Sequence, residues 1–282
     1  MIPAPFEYVR AGSVEQALDA LAEHGDEAKL LAGGHSLLPL MKLRLAVPSV
    51  LVDIGHLHDL SCVRVEGDQV VIGATTRHHE LETSSVALTE APLLAHVAGR
   101  VGDPQVRHRG TIGGTVAHGD PASDLPTALL ALDAVVVAQG PTGRREIAAT
   151  EFFLGFFETA LAADEMIVEL RVPRTGSVGW GYEKFTRREN DWPIVAAAAV
   201  DGRVALANMS GTVLRATAVE QALAGGASIA EAADLAAEGT SPSSDMHADG
   251  EYRRHLARLL TRRALEAASS GLSGPSRSGR PR

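Results

Sequence analysis

Residues 30–45 read LLAGGHSLLPLMKLRL, and residues 109–126 read RGTIGGTVAHGDPASDLP. Each stretch holds two adjacent glycines, Gly33–Gly34 and Gly113–Gly114, close to hydroxyl side chains: Ser36 in the first, Thr111 and Thr115 in the second. Adjacent glycines permit φ > 0. They also let backbone N–H groups approach a ligand with no Cβ in the way, and a run of such groups makes a concave anion site. Two such turns suit the two phosphates of a dinucleotide, held from opposite sides. Each pair taken alone also fits a tight turn with no ligand. PASD (121–124) fits a proline turn followed by a helix cap as well as it fits a binding segment. Neither stretch is G-x-G-x-x-G, and neither is expected to run into a regular helix, so the Rossmann fingerprint is absent. No G-x-x-x-x-G-K-[ST] occurs, which excludes a P-loop.

Working outward, Ser13 and Gln16 form a capping-box pattern that opens a helix. Val14, Ala17, Leu18 and Leu21 are its apolar stripe, and Gly25 its stop. KLLAGG predicts a short buried strand entering the first glycine turn, and SVLVDIG (49–55) a second strand. Residues 62–74 alternate around Gly67-Asp68 and predict a hairpin. Residues 90–101 predict a helix with Pro92 in its first turn. SDLPTALLALDA (123–134) predicts another, capped by Ser123 or Asp124. A hairpin is expected around Gly140–Gly143, and a strand over 165–173. Beyond a boundary near 174–178 the texture changes. YEKFTRRE and IVAAAAVDGRVALANM predict three antiparallel strands, the last two joined at Asp201-Gly202. Helices follow at about 216–225, 228–238 and 249–269. The element order suits an α+β fold. The segment SSGLSGPSRSGRPR is low in complexity and cationic, and is expected to be disordered.

The chain has 282 residues, 45 % of them hydrophobic and 22 % charged, an ordinary globular mix. Its formal net charge of −9 argues against general nucleic-acid binding, which needs clustered cations. The single cysteine, Cys62, excludes an internal disulfide and a zinc or iron–sulfur site ligated by cysteines of this chain alone. No signal-peptide pattern opens the sequence, and the longest apolar run, IVAAAAV (194–200), is too short for a membrane span. A cytoplasmic location is expected. HLH (56–58) and RHH (77–79) lack a third ligand at metal-site spacing and are expected to be surface or loop histidines. RHLARLLTRR is expected to be a helix with a solvated basic face.

AGGHSLLPLMKLRL and RGTIGGTVAHGDPASDLP resemble the two flavin-binding signatures of the FAD-binding medium subunit of molybdenum hydroxylases, the carbon monoxide dehydrogenase and xanthine dehydrogenase type. PAPFEYVRAGSVEQALDAL, GDPQVRHRGTIGG, ADEMIVELRVP, YEKFTRREND and EYRRHLARLLTRRALEAA extend the resemblance over about residues 3–270. The resemblance implies a PCMH-type two-part FAD-binding fold plus a C-terminal domain of antiparallel strands and helices. The parts would be residues 1–58, 59–175 and 176–270, with a tail at 271–282. Its pyrophosphate loops match Ala32, Gly33, Gly34, His35, Ser36 and Leu37, and Thr111, Ile112, Gly113, Gly114 and Thr115. His35 has no chemical role of its own there. Ser123 and Asp124 match the segment reaching the ribose or adenosine, Ile167 a strand residue beside the adenine, Lys184 a flavin or phosphate contact, and Trp192 a residue near the isoalloxazine. No catalytic residue and no metal ligand is implied. One departure stands out: the family's T-I-G-G-N ends here in Thr115.

The function implied is an electron-transfer flavoprotein. A molybdopterin large subunit oxidises the substrate, an iron–sulfur small subunit relays electrons through two [2Fe–2S] clusters, and FAD passes them to an external acceptor. The three chains would form a heterotrimer that dimerises. The alternatives are a self-sufficient FAD-dependent oxidase of the same fold, and a non-enzymatic protein that uses the turns to bind an anion or a partner.

Overall fold

A computed structural model describes residues 2–271. The expected tail therefore lies, apart from Gly271, outside the described residues.

Three short strands, β1 (Glu7–Arg10), β2 (Ala28–Leu31) and β3 (Val50–Asp53), form a parallel sheet in the order β1-β3-β2. Helix Val14–His24 buries Ala17, Leu18, Ala20 and Leu21. It begins at Ser13, whose hydroxyl accepts the Gln16 N–H, and ends at Gly25, where φ is +52°. The capping box differs from the expected one. The Gln16 carboxamide accepts the N–H of Gly12 at 2.7 Å, one residue beyond Ser13. Gly12 leaves room for that reach, since a Cβ there would stand 3.1 Å from the carboxamide oxygen.

The next sheet comprises β4 (Val63–Glu66), β5 (Gln69–Gly73), β6 (Val135–Gly140), β7 (Gly143–Ala148) and β10 (Met166–Pro173). A small hairpin of β8 (Phe153–Gly155) and β9 (Glu158–Thr159) precedes β10. The order is β4-β5-β10-β6-β7, antiparallel throughout. Central β10 serves two cores: Met166 and Val168 join the cluster around the parallel sheet. Ile167, Leu170 and Val172 join the main cluster with helices Pro92–Gly99 and Asp124–Ala131. Side-chain alternation, reset by a bulge between Ile167 and Glu169, thus bonds the first glycine-bearing layer to the second.

The last sheet is β11 (Trp180–Phe185), β12 (Val195–Val200), β13 (Arg203–Ala207) and a short β14 (Leu214–Arg215) that sequence did not indicate. Its β12–β13 turn has φ of +51° at Asp201 and +75° at Gly202, the left-handed pair of a two-residue hairpin. Every residue of β12 is buried. Val195, Ala197 and Ala199 face helices Thr217–Ala224, Ile229–Asp234 and Gly250–Ser269. Ala196, Ala198 and Val200 face the main cluster. Gly179 and Gly181 admit the long helix closely: a Cβ at either would lie 1.9 or 2.0 Å from the carbonyls of Ala268 and Ala264. The mixed helix and strand content bears out the α+β class.

Candidate cofactor site

The first glycine stretch leaves β2 at Leu31 and enters helix Leu37–Lys42. The second lies inside a helix: Thr111 is the N-cap of Ile112–His118. The expectation that neither stretch runs into a helix is corrected for both. In the second, the Thr111 hydroxyl accepts the Gly114 N–H at 3.2 Å, and the Thr115 N–H bonds the Thr111 carbonyl at 3.1 Å, an N-cap that starts the helix at once. Neither Gly113 nor Gly114 has positive φ, whereas Gly34 has φ of +75°. Gly113 is glycine because Ala74 presses on it, with an added Cβ only 2.6 Å from the Ala74 Cβ.

The two stretches also differ in their N–H groups. Among the described residues, those of Gly33, Gly34, His35 and Ser36 donate to no protein acceptor, and the Ser36 hydroxyl caps nothing. In the second stretch Ile112 donates to Thr76 at 3.0 Å and Gly113 to Ala74 at 2.9 Å. The stretches adjoin: a Cβ on Gly33 would stand 2.2 Å from the Arg109 carbonyl oxygen and 3.0 Å from the Gly110 Cα. Ala32, Ser36, Leu37 and Thr115 are half-buried, and His35 and Gly114 are exposed.

The other expected contacts fall in two places. The side chains of Asp124 and Lys184, 5 % and 1 % exposed, pair with each other at 3.0 Å. Tyr182 donates to the second Asp124 oxygen at 2.5 Å, and Lys184 also donates to the Arg100 carbonyl at 3.2 Å. Burial pushes the Asp124 carboxyl up, against the pull of the Lys184 ammonium and the Tyr182 hydroxyl. Burial and that carboxylate hold the Tyr182 phenol well above its ordinary value. Ser123 occupies the N-cap position before Asp124, but its buried hydroxyl has no partner among the described residues. Ile167 is buried in β10 opposite Ala138. Trp192 is 55 % exposed, on the wall of a cleft of about 420 Å³ shared with Ala122, Arg187, Arg188 and Asn208. That exposure excludes a place for Trp192 in the core.

Several residues escaped sequence reading. Arg77 and His78 lie in the RHH run, and His78 corrects the surface expectation. It is 4 % exposed, its backbone N–H donates to the Gly110 carbonyl at 3.0 Å, and a Cβ on Gly110 would meet its ring at 2.7 Å. Burial depresses its pKa to about 4. His96, against the Trp180 ring at 5.0 Å, is likewise depressed by burial to about 4. Asn208, with φ of +60°, accepts no helix role. Its N–H donates to the Pro121 carbonyl at 2.7 Å and its amide to Pro193 at 3.0 Å, tying the GDPAS loop to the Trp192 segment. An Asn next to a strand end was the available signal. On the closing helix the basic face is solvated as expected, while Arg253 just before it is buried against Asp245 at 2.6 Å. Among the described residues, no helix is long and apolar enough to cross a membrane.

Residues 4–175 match the family model described as FAD binding domain in molybdopterin dehydrogenase. Residues 180–268 match the CO dehydrogenase flavoprotein C-terminal domain. The chain is 43 % identical to the carbon monoxide dehydrogenase medium chain of Hydrogenophaga pseudoflava, over 95 % of this chain and 98 % of that one. It is 38 % identical to the 6-hydroxypseudooxynicotine dehydrogenase complex subunit alpha of Paenarthrobacter nicotinovorans, over 95 % and 96 % of the two chains. The structure superposes on a carbon monoxide dehydrogenase chain from Hydrogenophaga pseudoflava lacking the Mo-pyranopterin moiety, with a TM-score of 0.93 and 44 % identity, covering 96 % and 99 % of the chains. With both family models matched in order along its length, the chain belongs to the FAD-binding medium subunits of molybdenum hydroxylases of the carbon monoxide dehydrogenase and xanthine dehydrogenase type, and is an oxidoreductase subunit whose cofactor is FAD.

Proposed function

We propose that this chain is the electron-transfer subunit of a cytoplasmic complex. Electrons would arrive from [2Fe–2S] clusters of an iron–sulfur small subunit, served by a molybdopterin large subunit, in a heterotrimer that dimerises. They would leave to an external acceptor. Bound FAD supplies the redox chemistry: it takes up electrons and releases them. This chain supplies position. The observation that carries the reading is the run of unpaired N–H groups at Gly33–Ser36, packed against the entrance to the second loop. Such a run is a ready set of donors for the pyrophosphate oxygens, with the Ser36 hydroxyl beside it. Thr111 and Thr115 frame the second side, and the Thr115 hydroxyl stands where the family has an Asn amide. The Asp124–Lys184 pair and the unpartnered Ser123 hydroxyl offer polar contacts to the nucleotide, Ile167 an apolar one, and exposed Trp192 a face for the flavin ring. The three sheets support the division at about 58 and 175. One cysteine cannot ligate two clusters, so the clusters belong to a partner. The two relatives named above act on carbon monoxide and 6-hydroxypseudooxynicotine by their names, which fits a substrate site on another chain.

The test mixes the FAD-loaded chain with the candidate iron–sulfur and molybdopterin subunits and follows flavin bleaching after substrate addition. Bleaching is expected only with all three chains. Turnover of an organic substrate by the lone chain at ordinary enzyme rates, on the order of 1–10³ s⁻¹, would replace this reading with the self-sufficient oxidase.

A further inference from the structure

The segment between β5 and the second glycine stretch carries Arg77, a cation with no carboxylate partner among the salt bridges of the described residues. Its guanidinium donates instead to two backbone carbonyls: to Gly55 at 3.1 Å, and to Arg109. Both carbonyl-bearing residues touch the first glycine loop. A Cβ on Gly55 would stand 2.8 Å from the Ala32 carbonyl oxygen, and the Arg109 carbonyl is the group that a Cβ on Gly33 would strike. One side chain therefore ties together the two walls between which Ala32 and Gly33 lie. Its own backbone is fixed as well. The Arg77 N–H donates to Glu80 at 2.8 Å, and the same Glu80 oxygen accepts the Ser61 hydroxyl at 2.9 Å. Arg77 is half-buried, and burial together with the charge of Arg109 lowers its pKa. Desolvating a cation is unfavourable unless an anion or strong dipoles compensate it. The two carbonyls compensate it by direct hydrogen bonds, and the nearby carboxylates of Glu80 and Asp53 by charge.

We infer that Arg77 is a positioning residue of the cofactor site: a two-carbonyl clasp that holds the first loop's N–H groups against the second loop. The inference rests on the FAD reading of that loop. It favours the planar fork of Arg, whose separate nitrogens reach the two carbonyls, whereas the three donors of a Lys ammonium radiate from a single nitrogen.

The test is FAD titration by flavin fluorescence on the full chain, for the wild type, Arg77→Lys and Arg77→Ala, with apo-protein melting measured in parallel. Arg77→Ala is expected to weaken FAD by roughly tenfold or more, and Arg77→Lys to fall between it and the wild type. Free guanidinium ion, at a concentration that leaves wild-type melting unchanged, is expected to restore much of the Arg77→Ala loss. A purely structural residue would give a melting defect that this ion does not repair. Affinity within about twofold of wild type in Arg77→Ala, a wild-type value in Arg77→Lys, or no rescue by guanidinium would each overturn the clasp. If Arg77→Ala does not fold, the intermediate value expected of Arg77→Lys decides alone. Failure of the wild type to bind FAD would sink the cofactor reading instead, so the two failures are distinguishable.

Discussion

The two glycine pairs look alike in sequence and are built for opposite tasks. Gly33–Gly34 is an open loop with one left-handed residue and, beginning at Gly33, four consecutive N–H groups that no atom of the described residues accepts. Gly113–Gly114 is the first turn of a capped helix, its N–H groups already taken by Ala74, Thr76 and Thr111. The first pair is incomplete without a ligand; the second is complete without one. Glycine serves backbone freedom and close approach at once in the first pair, and close approach alone at Gly113. The comparison implies that ligand binding stabilises the first region and leaves the second nearly as it is, because only the first gains partners.

The sharpest way to break this comparison is Gly33→Ala. The new Cβ would meet backbone, not a movable side chain, 2.2 Å from the Arg109 oxygen. The two loops must separate, and FAD binding is expected to be lost while far-ultraviolet circular dichroism stays native. Stoichiometric flavin in this variant would mean that the loops need not touch. Gly113→Ala comes next. Its Cβ would enter the contact with Ala74 at 2.6–2.9 Å. Overpacking of this kind costs about 1–3 kcal/mol, readable as a lower urea midpoint in the apo-protein. An unchanged midpoint would show that the second region is as loose as the first.

Acid sharpens the comparison in another way, because His78 sits beneath Gly110 in the second region only. Its pKa falls from 6.5 in the unfolded chain to about 4 in the folded one. The unfolded state therefore binds the proton first. Stability is complete above pH 6.5 and declines as pH falls toward 4, by about 1.4 kcal/mol per pH unit for one proton. At pH 5 His78 accounts for roughly 2 kcal/mol of loss by the same relation, and buried His96 adds a separate decline. His78→Asn should remove its share, giving a flatter urea-midpoint profile between pH 6.5 and 5. A profile parallel to wild type would remove His78 from the account.

Much of this was legible because the signals were local. Ser13, Gly25, Gly67-Asp68, Pro92 and Asp201-Gly202 each announce an element within a few residues, and each element is found. The apolar run IVAAAAV predicts a strand, and the structure shows both its faces covered. The second glycine pair suggests a turn in sequence, because glycines weigh toward turns, yet it lies in a helix. Thr111, three residues before Gly114, was the cap that outweighed them. The Asp124–Lys184–Tyr182 cluster joins positions about sixty apart, and Arg77 spans 22 residues one way and 32 the other. No periodicity encodes such meetings. The contacts of Arg77 and His78 with backbone carbonyls have no sequence signal, because the RHH run offers only its residue types.

The smallest expected effect is also the most discriminating. Gly114 is exposed, and a Cβ there would meet one atom within 4 Å, the Thr111 hydroxyl at 2.7 Å. Gly114→Ala in a helix gains about 0.5–1 kcal/mol from a less flexible unfolded chain. Displacing the Thr111 hydroxyl from the Gly114 N–H gives back about 1 kcal/mol of capping. The two nearly cancel, so apo-stability should stay within roughly 0.5 kcal/mol of wild type. Any change in FAD affinity then reports contact, not folding. If the pyrophosphate lies between the two regions, the added methyl stands on the face that the second helix presents to it, and affinity should fall several-fold in a fluorescence titration. If affinity is unchanged at unchanged stability, the second glycine pair only supports the first. The ligand would then be held by the four free N–H groups of Gly33–Ser36 without a second wall.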